Sequence, residues 1–525
     1  MKKLFRQSIA DIPAAMVVFL VALPLCLGIA LGSNAPLFSG IIAGMVGGIV
    51  IGLLSGSPLS VSGPAAGLTA VVVVAIGQIQ VFEGFVVAVV IAGVLQVILG
   101  FLRAGIIGDY VPNSVIRGML AAIGIILILK QLPHLVGYDR DFSGDEAFIQ
   151  IDRQNTFSEL IYSINYLSPV AILTGLVSIG ILVVWDLPFF KKKKFFRFMP
   201  GPLVVVLVAV AINAAFINSG SRFYIAEHHL VNLPVAKDFS SFVDFFTFPK
   251  WEYLGNLHVW SSAVTIALVA SLETLLSIEA IDKLDPYNRS TPTNRELRAQ
   301  GVGNVISGLL GGLPVTSVIV RSSANVYAGA RTKASTVIHG ILLLLSVLFI
   351  PDLLNQIPLS ALAAVLIVTG YKLAKPSLFR EFHEKGWDQL VPFIVTIIAI
   401  LLTDLLIGIL VGMAVGLFFL LRSNFRSAVM VVHDENKYLV RFRKDVSFLN
   451  KPIVKNKLES VPSNAYVLID LTRADFIDKD IIDVINEFLH HAHLKDIRVE
   501  IKKSQFKAGH QLIDDQFIVE QQMAS

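Results

Sequence analysis

Long apolar runs broken by short polar stretches fill the chain up to residue 426, and the pattern then changes. The runs lie near 12–32, 36–55, 59–78, 82–102, 113–131, 167–187 and 200–218. A second set lies near 260–281, 297–313, 316–330, 334–350, 358–374, 388–404 and 405–422. At a rise of 1.5 Å per residue, about 20 apolar residues cross a bilayer core. The pattern therefore predicts a polytopic α-helical membrane protein of fourteen spans in two sets of seven. The run at 12–31 follows MKKLFRQS and imitates a signal peptide, but it is long enough to span and reads as an uncleaved first helix. The runs at 59–78 and 316–330 are third in each set, and both begin in Ser/Gly/Pro-rich sequence. Interrupted segments at matching positions of two halves point to inverted repeats with half-helices around a midplane site.

Beyond residue 426 the periodicity is that of a small α/β domain. Residues 437–443 alternate like a strand, 464–471 read as a more buried strand, 480–494 as an amphipathic helix and 497–503 as a third strand. The expected organisation is a membrane domain over 1–426, an α/β domain over 427–505 and a polar tail over 506–525.

Composition agrees, with 54% hydrophobic residues, 16% charged and a mean hydropathy of +0.71, where soluble domains carry about 25% charged residues. The single cysteine, Cys26, excludes an intrachain disulfide and a cysteine metal cluster. The net charge of +4 matters less than where the charges fall. With the N-terminus cytoplasmic, the loops carrying Lys191, Lys192, Lys193, Lys194 and Arg197, then Lys283, Arg289, Arg295 and Arg298, then Arg331 and Lys333, all lie inside. The loop at 132–166 lies outside and is acid-rich, with Asp139, Asp141, Asp145, Glu146, Asp152 and Glu159. This is the positive-inside bias, and an even span count returns the C-terminus to the cytoplasm. The lysine run is read as an orientation signal in the bilayer rather than a nucleic-acid patch.

The candidate chemistry centres on residues 311–333, GGLPVTSVIVRSSANVYAGARTK. A helix from about Thr316 would place Ser317, Arg321 and Asn325 on one face. Its start leaves amide N–H groups unpaired with roughly +0.5 charge, a ready anion site to which Arg321 adds a full charge. An arginine near the bilayer centre costs about 2.5–3.5 kcal/mol, so it needs a partner; the competing reading is that Arg321 snorkels to the surface. In the other half, PLSVSGPAAGLT offers Ser62 as a cap, Pro64 in a first turn, and Gly63 and Ala65 leaving the backbone open. The competing reading there is tight helix packing. Glu273, with Ser277 one turn on, is flanked by apolar sequence. Three roles compete for it: ion pair with Arg321, ligand of a coupling ion, or proton carrier; the bland reading is an interhelical hydrogen bond. His339 reads as a packed, hydrogen-bonded core histidine, and His228 and His229 as loop residues able at most to bind metal adventitiously. Tyr327, Thr369 and Asp404 read as structural. The sequence carries no phosphate-cradling loop, zinc spacing or nucleophile elbow, so no enzyme chemistry is expected.

Taken together, LSVSGPAAGLT, SLETLLSIEAIDKL, QGVGNVISGLLGGLPVTSVIVRSSANVYAGARTK and VLIDLTRADFID resemble the SulP family of anion transporters with a cytoplasmic STAS domain, in order and over residues 8–503. The resemblance implies a fourteen-span fold of two inverted repeats, a core and a gate domain moving elevator-fashion, and a homodimer. It implies substrate contacts near Gly63, Pro64 and Ala65 and near Val315, Thr316 and Ser317, with first-span contributions from Pro24 and Cys26. It also implies coupling to sodium or a proton at Glu273 and Ser277, sodium being the one metal expected, with no cofactor. Two departures matter: Pro24-Leu25-Cys26 lacks the glutamine many members carry after the proline, and Val320 stands where many carry serine. The variant LVALPLCLGIALGSNAPLFSG looks like a bacterial branch associated with bicarbonate, which places bicarbonate ahead of sulfate in a bacterial-type inner membrane. Lys479 stands where phosphorylatable STAS domains carry Ser or Thr, so control by phosphorylation there is not expected. The alternatives are a carrier of dicarboxylates or other organic anions, and a membrane-anchored STAS module whose spans only sense.

Overall fold

The computed structural model describes residues 11–139, 148, 155–187, 189, 199–218, 224–235, 242–426, 429–504 and 511–513. The lysine run 191–194, Arg197, Asp141, Asp145, Glu146, Asp152 and most of the tail lie outside the described residues. The chain divides into two compact units, Met1–Met413 and Ala414–Ser525.

The apolar runs are helices: α1 (Ile12–Gly32), α2 (Leu37–Leu54), α3 (Ala66–Ile79), α4 (Phe82–Phe101), α5 (Asn113–Val136), α6 (Pro169–Asp186), α7 (Gly201–Asn218) and α8 (Leu257–Leu284). They continue as α9 (Thr293–Leu309), α10 (Ile319–Tyr327), α11 (Ala334–Phe349), α12 (Leu359–Leu373), α13 (Trp387–Leu402) and α14 (Leu405–Arg426). Among the described residues, eight helical stretches are long and apolar enough to cross a membrane: α1, α2, α4, α5, α6, α7, α8, and the stretch Leu359–Glu384 that contains α12. Helices α3, α11, α13 and the apolar part of α14 are shorter. Helix α9 is polar for a buried helix, because Glu296, Gln300, Asn304 and Ser307 all point inside.

The helices of the first unit pack in two groups. In one, α9 and α8 lie against α4, and α2, α10 and α11 lie against α1. In the other, α12 and α13 lie against α5, and α6 lies against α7 and α12. Close approach of α4 and α9 needs bare backbone. A Cβ on Gly93 would stand 2.5 Å from the Val305 nitrogen, and one on Gly301 2.6 Å from the Gly93 carbonyl.

Two short strands interrupt the helical pattern. β1 (Ser62–Pro64) and β2 (Val315–Ser317) pair antiparallel, with Ser62 opposite Ser317, Gly63 opposite Thr316 and Pro64 opposite Val315. This corrects the expected helix start at Thr316: α10 begins at Ile319. Ser317 is therefore extended backbone and shares no helical face with Arg321 and Asn325. Unpaired backbone inside a membrane must find partners, and two extended segments supply them to each other.

In the second unit β3 (Val429–Asp434), β4 (Lys437–Phe442), β5 (Tyr466–Asp470) and β6 (Arg498–Lys502) form one sheet in that order. The first pair is antiparallel and the others parallel. Two helices, Lys451–Glu459 and Lys479–Ala492, complete its apolar core. The sequence reading anticipated three of the strands and the second helix, but not β3 or the first helix.

Candidate functional site: two crossing segments and a buried arginine

The crossing is tied down by side chains from its neighbours. Pro64 has no N–H to give to Val315 across the pair. Asn304 of α9 makes up the difference: its Nδ2 donates to the Val315 carbonyl at 2.9 Å and its Oδ1 accepts from the Val315 nitrogen at 2.6 Å. The second Nδ2 hydrogen goes to Gln96 Oε1 of α4 at 2.6 Å. Gln300 Nε2 donates to Ser62 Oγ at 2.6 Å, and the Ser317 nitrogen donates to Thr274 Oγ1 of α8 at 3.3 Å. On the other side α10 serves the chain leading into β1. Ser322 Oγ accepts from the Val61 nitrogen at 2.8 Å, and Asn325 Nδ2 donates to the Leu59 carbonyl at 2.9 Å. Ser60 and Ser317 share a hydroxyl–hydroxyl bond of 2.5 Å.

Arg321 lies directly behind this crossing. It is wholly buried, so it does not snorkel. Among the described residues no oxygen accepts a hydrogen bond from Nε, Nη1 or Nη2, and the Cys26 thiol is a polar side chain beside the guanidinium. Missing side chains make room here: a Cβ on Gly63 would stand 2.0 Å from Nη1, and one on Gly44 would stand 2.6 Å from Cys26 Sγ. Cys26 and Pro24 are both buried on α1. Pro24 sits inside that helix, where it removes an intrahelical hydrogen bond.

A small cavity of about 20 Å³ opens beside Arg321, room for about one water. Leu25 and Ile29 of α1, Ala66 at the start of α3, and Val318, Val320 and Arg321 form one wall. Ile126, Leu127, Lys130 and Gln131 of α5 form the opposite wall. The cavity thus lies where the two helix groups meet. Gly63, Pro64, Ala65, Val315, Thr316 and Ser317 are all buried and do not themselves line the cavity, whereas their neighbours Ala66 and Val318 do.

Glu273 points at the start of α3: a Cβ on Gly67 would stand 3.1 Å from its Oε1. Ser277 is buried one turn on. Among the described residues no group of three or more His, Cys, Asp or Glu side chains is placed to hold a metal ion. His339 is buried, but neither ring nitrogen is hydrogen-bonded among the described residues, unlike the expected hydrogen-bonded core histidine. Tyr327 donates across to the Lys372 carbonyl of α12, Thr369 donates to the Val365 carbonyl of its own helix, and Asp404 accepts from the Ile407 nitrogen. Near the end of α5, Asp139 bridges His134 and His229, with 2.5 Å to the Nδ1 of each. Burial pushes the Asp139 carboxyl up, but the two histidine hydrogen bonds outweigh it and hold it below the usual carboxylate value.

Sequence reasoning passed over Gln96, Thr274, Asn304, Gln300, Lys130 and Gln131. The signal was present: an amide or an amine inside an apolar run has to be satisfied internally.

Helices long and apolar enough to cross a bilayer, packed in two groups with a buried cation beside the cavity between them, give the chain the architecture of a multi-pass membrane protein. The chain belongs to the Sulfate permease family, whose model matches residues 9–396. It is 26% identical over 464 residues to YvdB of Bacillus subtilis, a protein assigned provisionally to sulfate transport, covering 86% of this chain and 82% of that one. It is 25% identical over 388 residues to the bicarbonate transporter BicA of Picosynechococcus, covering 72% of this chain and 64% of BicA. Among solved structures, the transmembrane domain of a cyanobacterial BicA matches with a TM-score of 0.52 at 23% identity, over 77% of this chain and 96% of that one. The murine anion transporter Slc26a9 in its inward-facing state matches with a TM-score of 0.66 at 16% identity, over 98% and 92%. At these identities the structural likeness speaks for the fold alone.

Proposed function

We propose that the protein is a secondary transporter of a small inorganic anion, with bicarbonate ahead of sulfate, bound between the β1–β2 crossing and α5. The observation that carries this reading is Arg321: a buried guanidinium with no carboxylate or carbonyl acceptor among the described residues is expensive, by several kcal/mol, until an anion joins it. Relatives named for bicarbonate and for sulfate support both substrates. On this reading the anion meets the backbone near Gly63, Pro64, Ala65, Val315, Thr316 and Ser317, with Pro24 and Cys26 shaping the first wall. The Leu25 and Val320 side chains offer no hydrogen bonds, which suits a planar monoanion better than a tetrahedral dianion, whose hydration is much the stronger.

Glu273 and Ser277 carry the coupling ion, sodium or a proton, beside the same crossing. The fourteen helices act as two inverted repeats, and transport slides the group containing α1, α3, α8 and α10 past the group containing α5 and α12, in the manner of an elevator. A cavity of about 20 Å³ is too small for a bicarbonate ion, so the walls separate when one enters. The protein works as a homodimer in a bacterial-type inner membrane with both termini cytoplasmic. Its STAS-like second unit is regulatory or dimer-supporting.

Uptake of labelled bicarbonate, sulfate and fumarate into proteoliposomes, each with and without a sodium gradient and a pH gradient, tests this. Bicarbonate should lead, and Arg321→Ala should weaken apparent affinity in a protein that still inserts. Glu273→Gln should remove the dependence on whichever gradient drives the parent. Fumarate leading, or a Glu273→Gln protein with the parent's full dependence on both gradients, would overturn the substrate and the coupling assignments respectively.

A further inference from the structure

The wall opposite Arg321 carries a second cation. Lys130 of α5 lines the same cavity and is 5% exposed. Its Nζ stands 3.9 Å from Oε2 of Glu159, which is 2% exposed. That separation is an ion pair beyond hydrogen-bond length. Glu159 lies in the first turn of the short helix Thr156–Ser163, whose N-terminus is fixed by a capping box at Asn155. A carboxylate in that position is favoured by the helix dipole, with or without a cation beside it. Lysine is a compact charge on a flexible four-carbon stem, able to turn between two acceptors without backbone movement.

We propose that Lys130 is the second cation of the anion pocket, and that the Glu159 carboxylate is a built-in anion which the transported one displaces from it. The inference rests on the anion-transport reading and adds the residue pair that sets affinity from the α5 side. With the pocket empty, Glu159 balances the charge of Lys130. When an anion enters beside Arg321, Lys130 turns toward it, and Glu159 keeps the favourable field of its helix. The anion therefore competes with a tethered carboxylate, and the two partners of the pair influence affinity in opposite senses. A purely structural ion pair behaves differently, because losing either partner then does the same harm.

The test is anion uptake by the full chain in proteoliposomes, reading KM and maximal rate separately for bicarbonate and sulfate. Lys130→Gln should raise KM about tenfold or more, with Lys130→Arg restoring most of it. Glu159→Gln should lower KM, and the double variant should resemble Lys130→Gln alone. KM shifts of the same sign for Lys130→Gln and Glu159→Gln, or an unchanged KM for Lys130→Gln, overturn the proposal. Should Lys130→Gln fail to insert, Glu159→Gln decides: a lowered KM supports, a raised or unchanged one overturns. If the parent carries none of the anions, the transport reading falls by itself, and thermal stabilisation of the detergent-solubilised protein by sulfate decides the pair. Stabilisation lost in Lys130→Gln then supports it, while equal shifts in both proteins, or none in the parent, overturn it.

Discussion

The two crossing segments match in backbone and differ in chemistry. β1 and β2 pair residue for residue, and each leads into a short helix. Helix α10, IVRSSANVY, is buried from Ile319 to Val326 and polar along most of its length. The regular part of α3, TAVVVVAIGQI, is apolar, and only Val72, Ala75 and Ile79 of it are buried. The difference is a division of labour. α10 is sealed inside, where Ser322 and Asn325 satisfy the chain leading into the opposite segment, and Arg321 lines the cavity shared with α5. α3 contributes the glycine and alanine backbone of the crossing and otherwise presents an aliphatic face. A repeat in shape is thus compatible with one half supplying charge and hydrogen bonds while the other supplies room.

Substitutions sharpen this contrast in graded fashion. Asn304→Ala should do most damage, because it strips both backbone partners from Val315 and leaves Gln96 short of one. Leaving two buried peptide groups unpaired costs roughly 2–5 kcal/mol, visible as a large fall in the melting temperature of the detergent-solubilised protein. A melting temperature within a degree of the parent's would mean that water or a neighbour replaces the amide. Ser322→Ala removes one acceptor from Val61, and should cost about 1–3 kcal/mol in the same assay. Val74→Ala on α3, at a side chain 56% exposed, should change stability by no more than about 0.5 kcal/mol. An effect there as large as that of Ser322→Ala would erase the asymmetry between the two segments.

Much of this was visible in the apolar pattern, because membrane-length helices leave long apolar runs broken by short polar stretches. The place of the crossing was visible too, as two Ser/Gly/Pro-rich starts at matching positions, but as helix starts and not as paired strands. What the pattern hid was the extended stretch at Ser317. Its residues are competent for helix, and only a partner strand together with Asn304 makes the extended state better. Arg321 stood out as a charge in an apolar run, yet nothing local distinguished burial from snorkelling. Gly63, distant from it in sequence, makes the space that settles it. Lys130 went unremarked because it falls at the end of its run and resembles an interfacial lysine until Glu159 and the opposite wall are in place.

The saturated amide of Asn304 carries a consequence for how the protein can change. Its three bonds need two hydrogens and one lone pair at fixed places: aspartate has no hydrogens to give, glutamine is a methylene too long, and alanine is silent. The position has an alphabet of one letter. Leu25, Ile126, Leu127 and Val320 have an alphabet of many, since any aliphatic side chain of similar volume fills their places. Sequence drift is thereby steered away from the crossing and into the surfaces that face the cavity. If the cavity is where the proposed anion binds, a lineage can exchange one cargo for another there while the frame stays the same.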